Sequence, residues 1–299
     1  MSGLPDFVVI GAMKCGTSSL HEQLALRSGV HMSTPKEPNF FSDDANHALG
    51  LDHYRRCFDG AREEQIVGES STHYTKLPTH PRSVERLAEV LPDARFVYVV
   101  RHPIDRIVSQ YVHEWSQREV SGSLEEAVTR HERFVAYSQY ARQLEPWIAR
   151  FGRERILLVG FERMLAEPDA ELARVCAFLS DPTPDAPRWQ DLPASNVSSE
   201  RLRRSALRES LLALRPLRAL ADRLPAGLRE TLKRPWRMDR RPELSPAARA
   251  ALVERLDPDL ARLGGWLGRP LSVAGWNEAV ARAPLDWAPR HDPVSVPEA

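Results

Sequence analysis

The sequence predicts an α/β protein: a P-loop-like three-layer fold with a central parallel β-sheet flanked by helices, continued by a mainly helical C-terminal portion. Three observations predict it. Short β-branched and aromatic runs alternate with segments of helical periodicity through the first 180 residues. A glycine-bearing loop, Gly11 to Gly16, lies between the first such run and the first helix. Beyond Asp181 the strand-like runs stop and Arg-dense helical patterns take over.

Each element has its own signal. Asp6–Ile10 reads as a buried strand. Thr17 opens a helix to about Arg27, with Leu20, Leu24 and Ala25 inward and Gly29 as a stop. Ile66-Val67 is a weaker strand, and Arg95–Val100 the strongest. Pro103 opens a helix, as proline does at a first turn. There Ile104, Ile107, Val108, Tyr111, Val112 and Trp115 form one apolar stripe. A helix over Tyr137–Phe151, a strand over Arg155–Val159 and a helix over Asp169–Leu179 follow. After the proline-rich loop Asp181–Pro187, the stretch from Arg201 to about Leu232 reads as helix broken at Pro216 and Pro225. Ser245 to about Trp266 reads as another. The expected organisation is a single domain over 1–282, with an α/β core at 5–180 and a helical portion at 181–282. A mobile tail is expected over 283–299.

Composition excludes several classes. The 41 Lys and Arg balance the 41 Asp and Glu, so the net charge is zero. That argues against indiscriminate nucleic-acid binding and against an acidic disordered chain. No apolar run approaches the roughly 20 residues of a membrane helix, and no basic segment precedes the short apolar stretch Phe7–Met13, so neither membrane insertion nor a secretory signal is expected. Three distant cysteines, Cys15, Cys57 and Cys176, fit no zinc spacing and suggest a reduced, cytoplasmic protein. Only four of the 41 basic residues are lysines: Lys14, Lys36, Lys76 and Lys233. Such Arg-rich usage suggests a GC-rich bacterial genome.

The loop Gly11-Ala-Met-Lys14-Cys15-Gly16-Thr17-Ser18-Ser19 carries the chemistry of a phosphate cradle. Amides of a first helical turn are unpaired, and the helix dipole favours an anion there. Gly16 lets backbone approach phosphate, Thr17, Ser18 and Ser19 offer hydroxyls, and Lys14 supplies a compact cation. The spacing is not that of the Walker motif, in which Lys directly follows the second Gly. The bland alternative is an ordinary strand-to-helix turn capped by Thr17. Arg101 ends the strongest strand, at the edge where doubly wound sheets bind ligands. Its bland alternative is an ion pair with Asp105.

Lys14-Cys-Gly-Thr-Ser-Ser-Leu20 resembles the 5′-phosphosulfate loop of sulfotransferases that use 3′-phosphoadenosine 5′-phosphosulfate (PAPS). Arg95 to Ser109, RFVYVVRHPIDRIVS, resembles that family's 3′-phosphate-binding strand, loop and helix, with Arg101 and Ser109 at the contact positions. Pro35-Lys-Glu-Pro-Asn-Phe-Phe41 resembles the K-E-x-x-F-F segment of the heparan sulfate sulfotransferase branch and its bacterial relatives, where the Glu is the catalytic base. The likeness covers residues 5–180. Asn196-Val-Ser198 and the Trp266 to Trp276 segment resemble the family's C-terminal end. The resemblance implies transfer of a sulfuryl group from PAPS to an acceptor hydroxyl of a small metabolite, glycolipid or saccharide, with PAP as product and no metal. Two departures stand out. Ser70 follows Glu69 where the heparan sulfate enzymes carry Lys, and the C-terminal Lys/Gly loop over the nucleotide is not recognisable, with Arg201, Arg203 and Arg204 its nearest substitutes.

On this reading Lys14 is catalytic and Glu37 is the general base, with His73 as rival base or acceptor-site residue. Lys14, Cys15 (through its backbone), Gly16, Thr17, Ser18, Ser19, Arg101, Ser109, Arg203 and Arg204 bind the donor. For Glu37 the bland alternative is a surface pair with Lys36. Ser109 alone would be a solvent-facing helix serine. Phe40 and Phe41 read as core, and Tyr137, Ser138 and Tyr140 as core or cleft wall. The alternative function is a P-loop-like nucleotide kinase, which needs Mg²⁺ ligands and Walker spacing. A third is a non-catalytic nucleotide binder.

Overall fold

A computed structural model describes residues 3–192 and 241–289 of the 299. Five parallel strands form one sheet: β1 (Phe7–Gly11), β2 (Val30–Met32), β3 (Ile66–Ser70), β4 (Arg95–Val100) and β5 (Ile156–Gly160), in spatial order β2-β3-β1-β4-β5. Every residue of β1 is buried, because helices cover both faces of a parallel sheet and leave no polar side for alternation. The chain winds from β1 to one edge, then returns to place β4 on β1's other side. The strand order reverses at β1 and β4, and in such sheets the ligand crevice lies outside the carboxyl ends of the strands at that point.

The helices frame that crevice. α1 (Thr17–Ala25) leaves the β1 loop directly. Short α2 (Asp44–Ala48) and α3 (Leu51–Arg55) lie between β2 and β3, and α4 (Ser83–Val90) precedes β4. α5 (Pro103–Gln117) starts at Pro103, and the His102 ring caps its Asp105 amide at 3.3 Å. The sequence shows one apolar stripe on α5, yet the helix is also buried on a polar side. Arg106 donates to Gln110 at 2.7 Å, Gln110 to Glu114 at 2.6 Å, and Arg133 to Glu114 at 2.8 Å. α6 (Leu124–Arg130), α7 (Arg133–Ala136) and α8 (Tyr140–Phe151) follow, and after β5 come α9 (Phe161–Ala166) and α10 (Pro168–Leu179).

The helical C-terminal portion packs on this core. Along α11 (Pro246–Leu267), Leu252, Leu256, Leu260, Leu263 and Leu267 are buried at helical spacing. Its Asp259 carboxylate accepts from the Ala141 and Arg142 amides, both at 2.9 Å, capping the start of α8. α12 (Trp276–Arg282) buries Trp276 and Val280.

Several expectations shift. Ala25 is exposed, and His21 and Gln23 take the buried face of α1 beside Leu20 and Leu24. The helix expected from Tyr137 begins at Tyr140. Residues 283–289, expected as mobile tail, are packed: Leu285 is buried and Trp287 donates to the Ile156 carbonyl at 2.7 Å. The rest of that tail, the broken helix from Arg201, and Asn196, Arg203 and Arg204 lie outside the described residues.

Candidate active site

The β1 loop delivers an uncapped helix start. Gly16 stands at the N-cap of α1 in a left-handed conformation (φ 86°), no side chain caps the helix, and its first turn carries no acidic residue. Among the described residues no side chain competes with an external anion for the first amides. Thr17 is thus not the cap that the bland reading required. Gly16 has a packing reason as well: a Cβ would lie 2.8 Å from the Phe161 ring and 2.9 Å from the Met164 methyl. Cys15 is buried, and burial pushes its thiol up to about 12, so it is inert as a nucleophile.

Arg101 comes to this loop from the adjacent strand end. Its Nη1 donates to the Lys14 carbonyl at 3.3 Å, and its guanidinium lies 4.6 Å from the centroid of the Phe161 ring. Tyr140 donates its hydroxyl to the Arg101 carbonyl at 2.6 Å, and Glu162 accepts from the His102 amide at 2.7 Å. Asp105 pairs instead with Arg241 at 2.7 Å, which removes the expected ion-pair alternative. Ser109 is buried in α5 rather than solvent-facing.

A second cluster forms around Glu37. This residue is left-handed (φ 59°), and its amide donates to the Ser70 carbonyl at 2.9 Å. Its Oε1 accepts from Lys36 Nζ at 2.9 Å and from the Thr72 hydroxyl at 3.2 Å. Burial works to raise the Glu37 pKa. Lys36, with Lys76 and His73 behind it, outweighs burial and holds the carboxyl below its ordinary value. The pairing with Lys36 is therefore real, and it sits inside the site. His73 lies on the short turn Thr72–Thr75 after β3 and stacks on His80 at 4.7 Å. Burial, then Lys76 and His80, push it down to about 4. The near-neutral value expected of an imidazole is not the one it has here.

Ser70 ties the two clusters together. Its hydroxyl meets His21 Nδ1, from α1, at 3.0 Å, while its carbonyl holds Glu37. Burial and then Lys36 push His21 down to about 4, so the ring is neutral at pH 7. Beneath lies Glu69, fully buried. Burial raises it to about 8, against the pull of the Tyr74 and Tyr54 hydroxyls, which approach without reaching hydrogen-bond geometry. Phe40 and Phe41 are core, packed on Tyr54 at 4.7 and 5.1 Å. Ser138 and Tyr140 are fully buried supports.

Sequence reasoning missed Phe161, Glu162, His21 and Lys76. Phe161 and Glu162 open α9 where a post-strand pair reads as ordinary packing. The scarcity of lysine was the one signal for Lys76, which is buried beside this cluster.

A sequence model described as the sulfotransferase family matches residues 5–185, more than half the chain. The chain belongs to the sulfotransferase family. Among its relatives, mouse heparan sulfate glucosamine 3-O-sulfotransferase 3A1 is 31% identical over 185 residues, 59% of this chain and 46% of that protein. Human heparan sulfate glucosamine 3-O-sulfotransferase 6 is 30% identical over 183 residues, 58% of this chain and 52% of that one. The chain spans about half the length of these curated relatives. A sulfotransferase crystal structure from Alicyclobacillus acidocaldarius superposes with a TM-score of 0.65 at 26% identity, covering 90% of this chain and 97% of that one. The family match ends near α10, while the structural match extends over most of the chain.

Proposed function

We propose that this sulfotransferase moves a sulfuryl group from PAPS to the hydroxyl of a saccharide, glycolipid or small metabolite. The observation that carries the proposal is the contact of Arg101 with the Lys14 carbonyl at 3.3 Å, beside an uncapped helix start. Two anion grips then stand a few ångströms apart, as a donor with separate 5′- and 3′-phosphate groups requires. Bound there, PAPS supplies the sulfuryl group and a phosphate leaving group.

On this reading the amides of Thr17, Ser18 and Ser19 hold the 5′-phosphate, and Arg101 with Ser109 holds the 3′-phosphate. Lys14 neutralises charge growing on the leaving oxygen, so catalysis is positioning plus fixed electrostatics. Glu37 accepts the acceptor's proton. Its carboxylate is ionised at neutral pH, and both its bonds fall on Oε1. Oε2 therefore keeps lone pairs for that proton. His73, weakly basic and stacked on His80, serves as a wall of the acceptor side. Fixed cations do what Mg²⁺ does in a kinase, and no metal is required.

The test is transfer of ³⁵S from labelled PAPS across saccharide, glycolipid and phenolic acceptors, with calorimetry of PAP against ADP. PAP should bind and ADP should bind far more weakly. Lys14→Ala should lower kcat by about 10²–10³-fold, as loss of one preorganised donor does. Sulfation by that variant at the wild-type rate sinks the assignment.

A further inference from the structure

We infer that Phe161 is a positioning residue that sets the Arg101 guanidinium for the donor's 3′-phosphate and locks it in register with the Lys14 loop. The inference rests on the donor reading above and adds a residue to it. One ring touches both grips. Its face carries the Arg101 guanidinium at 4.6 Å, and its edge lies where a Cβ on Gly16 would come within 2.8 Å. Phe161 is only half-buried and joins the core with part of its ring, so it is not fully accounted for as packing.

The contact with the ring explains the effect. A guanidinium held over an aromatic face by cation–π attraction loses rotamer freedom while its N–H groups stay available to acceptors beside the ring. Nη1 spends one of these on the Lys14 carbonyl at 3.3 Å, and the described residues leave the other guanidinium donors for an anion. Without the ring, a long side chain would sample several rotamers and lose that freedom only on binding. The backbone beneath is fixed independently. Tyr140 holds the Arg101 carbonyl, and Glu162, next to Phe161, holds the His102 amide at 2.7 Å. Glu162 also accepts from Trp276 Nε1 at 3.0 Å, so the β5–α9 turn is itself braced by α12.

Calorimetry on the full chain with PAP and with adenosine 5′-monophosphate tests this, because only PAP carries the 3′-phosphate. Phe161→Leu keeps bulk against Gly16 and Met164 but removes the aromatic face. Its affinity for PAP should fall about three- to thirtyfold, the range of a cation–π contact, while that for the monophosphate changes less than about twofold. Phe161→Tyr should restore PAP binding. Phe161→Met repeats the test should the leucine variant melt well below the wild type. Equal weakening of both nucleotides assigns Phe161 to packing alone and overturns the inference. So does an unchanged preference for PAP in the variants. A wild-type protein that binds neither nucleotide overturns the donor reading itself, a distinguishable outcome.

Discussion

At Lys14 and Glu37 the backbone is left-handed (φ 70° and 59°), a conformation that costs a non-glycine residue on the order of 1 kcal/mol or more. Both of the chain's proposed reacting residues thus sit on strained loop positions held by their surroundings. Glu37 is held by Ser70, Lys36 and Thr72. Glu37→Gln keeps size and hydrogen bonding but removes the charge. PAP affinity should stay within about twofold while turnover drops by roughly 10²–10⁴-fold, and calorimetry with single-turnover ³⁵S transfer reads the two separately. Lys76 adds a pH dependence. Burial pushes its amine down to about 8, against the pull of Glu37 and Glu114, with Arg106 and Glu119 also within electrostatic reach. Glu37, held below its ordinary 4.5, stays ionised on both sides of pH 8, so the charge of Lys76 acts on the acid limb alone. The kcat/KM profile should fall as acid protonates Glu37, below about pH 4.5. Lys76→Met, which removes the cation, should shift that acid limb to higher pH, and a limb that does not move refutes the coupling.

Among the elements, β3 and the turn after it carry more of the site than their sequence announces. Ile66-Val67 is readable as a strand, but the three residues that matter, Glu69, Ser70 and Thr72, are polar and break the apolar pattern. They are buried because the parallel sheet is covered on both faces, which no local periodicity reports. By contrast β1, β4 and β5 are legible, since continuous β-branched runs have no other stable home. Of the site, the phosphate loop and Arg101 were legible because glycine, lysine and a strand end coincide in short segments. The bond between His21 and Ser70 spans 49 positions and needs the folded topology. Glu69 makes a stability prediction at this scale. In the unfolded chain it ionises near its ordinary 4.5, and in the folded protein near 8. Between these values the folded state holds the extra proton. The contribution of Glu69 is thus full below about pH 4.5 and is lost as pH rises to about 8. Glu69→Gln should flatten that dependence, so its melting temperature should gain on the wild type from pH 5 to 8. Parallel melting curves across that range would refute the buried neutral carboxyl.

For the whole molecule, zero net charge masks a local concentration of cations where Lys14 and Arg101 meet, and this is why composition argues against indiscriminate polyanion binding without revealing the site. The strand order creates the crevice, but elements beyond the family match hold its walls in place. Trp276 braces Glu162, and Glu162 braces the His102 amide at the start of α5. Asp259 caps α8, whose Tyr140 carries Arg101. α11 and α12 also bury Leu252, Leu256, Leu260, Leu263 and Trp276, each worth about 1.5–3 kcal/mol. Their sum exceeds half of the roughly 5–15 kcal/mol net stability of an ordinary domain. A chain ended after residue 192 should therefore lose its cooperative thermal transition and bind hydrophobic dye, although it contains the entire family match. Trp276→Phe separates brace from burial: it keeps the ring in the core and removes only the Nε1 donor. That variant should fold with a melting temperature within a few degrees of the wild type and bind PAP several-fold more weakly, because Glu162 loses one of its two anchors. A Trp276→Phe protein with unaltered PAP affinity would place the nucleotide grip wholly within residues 5–185, independent of the C-terminal helices.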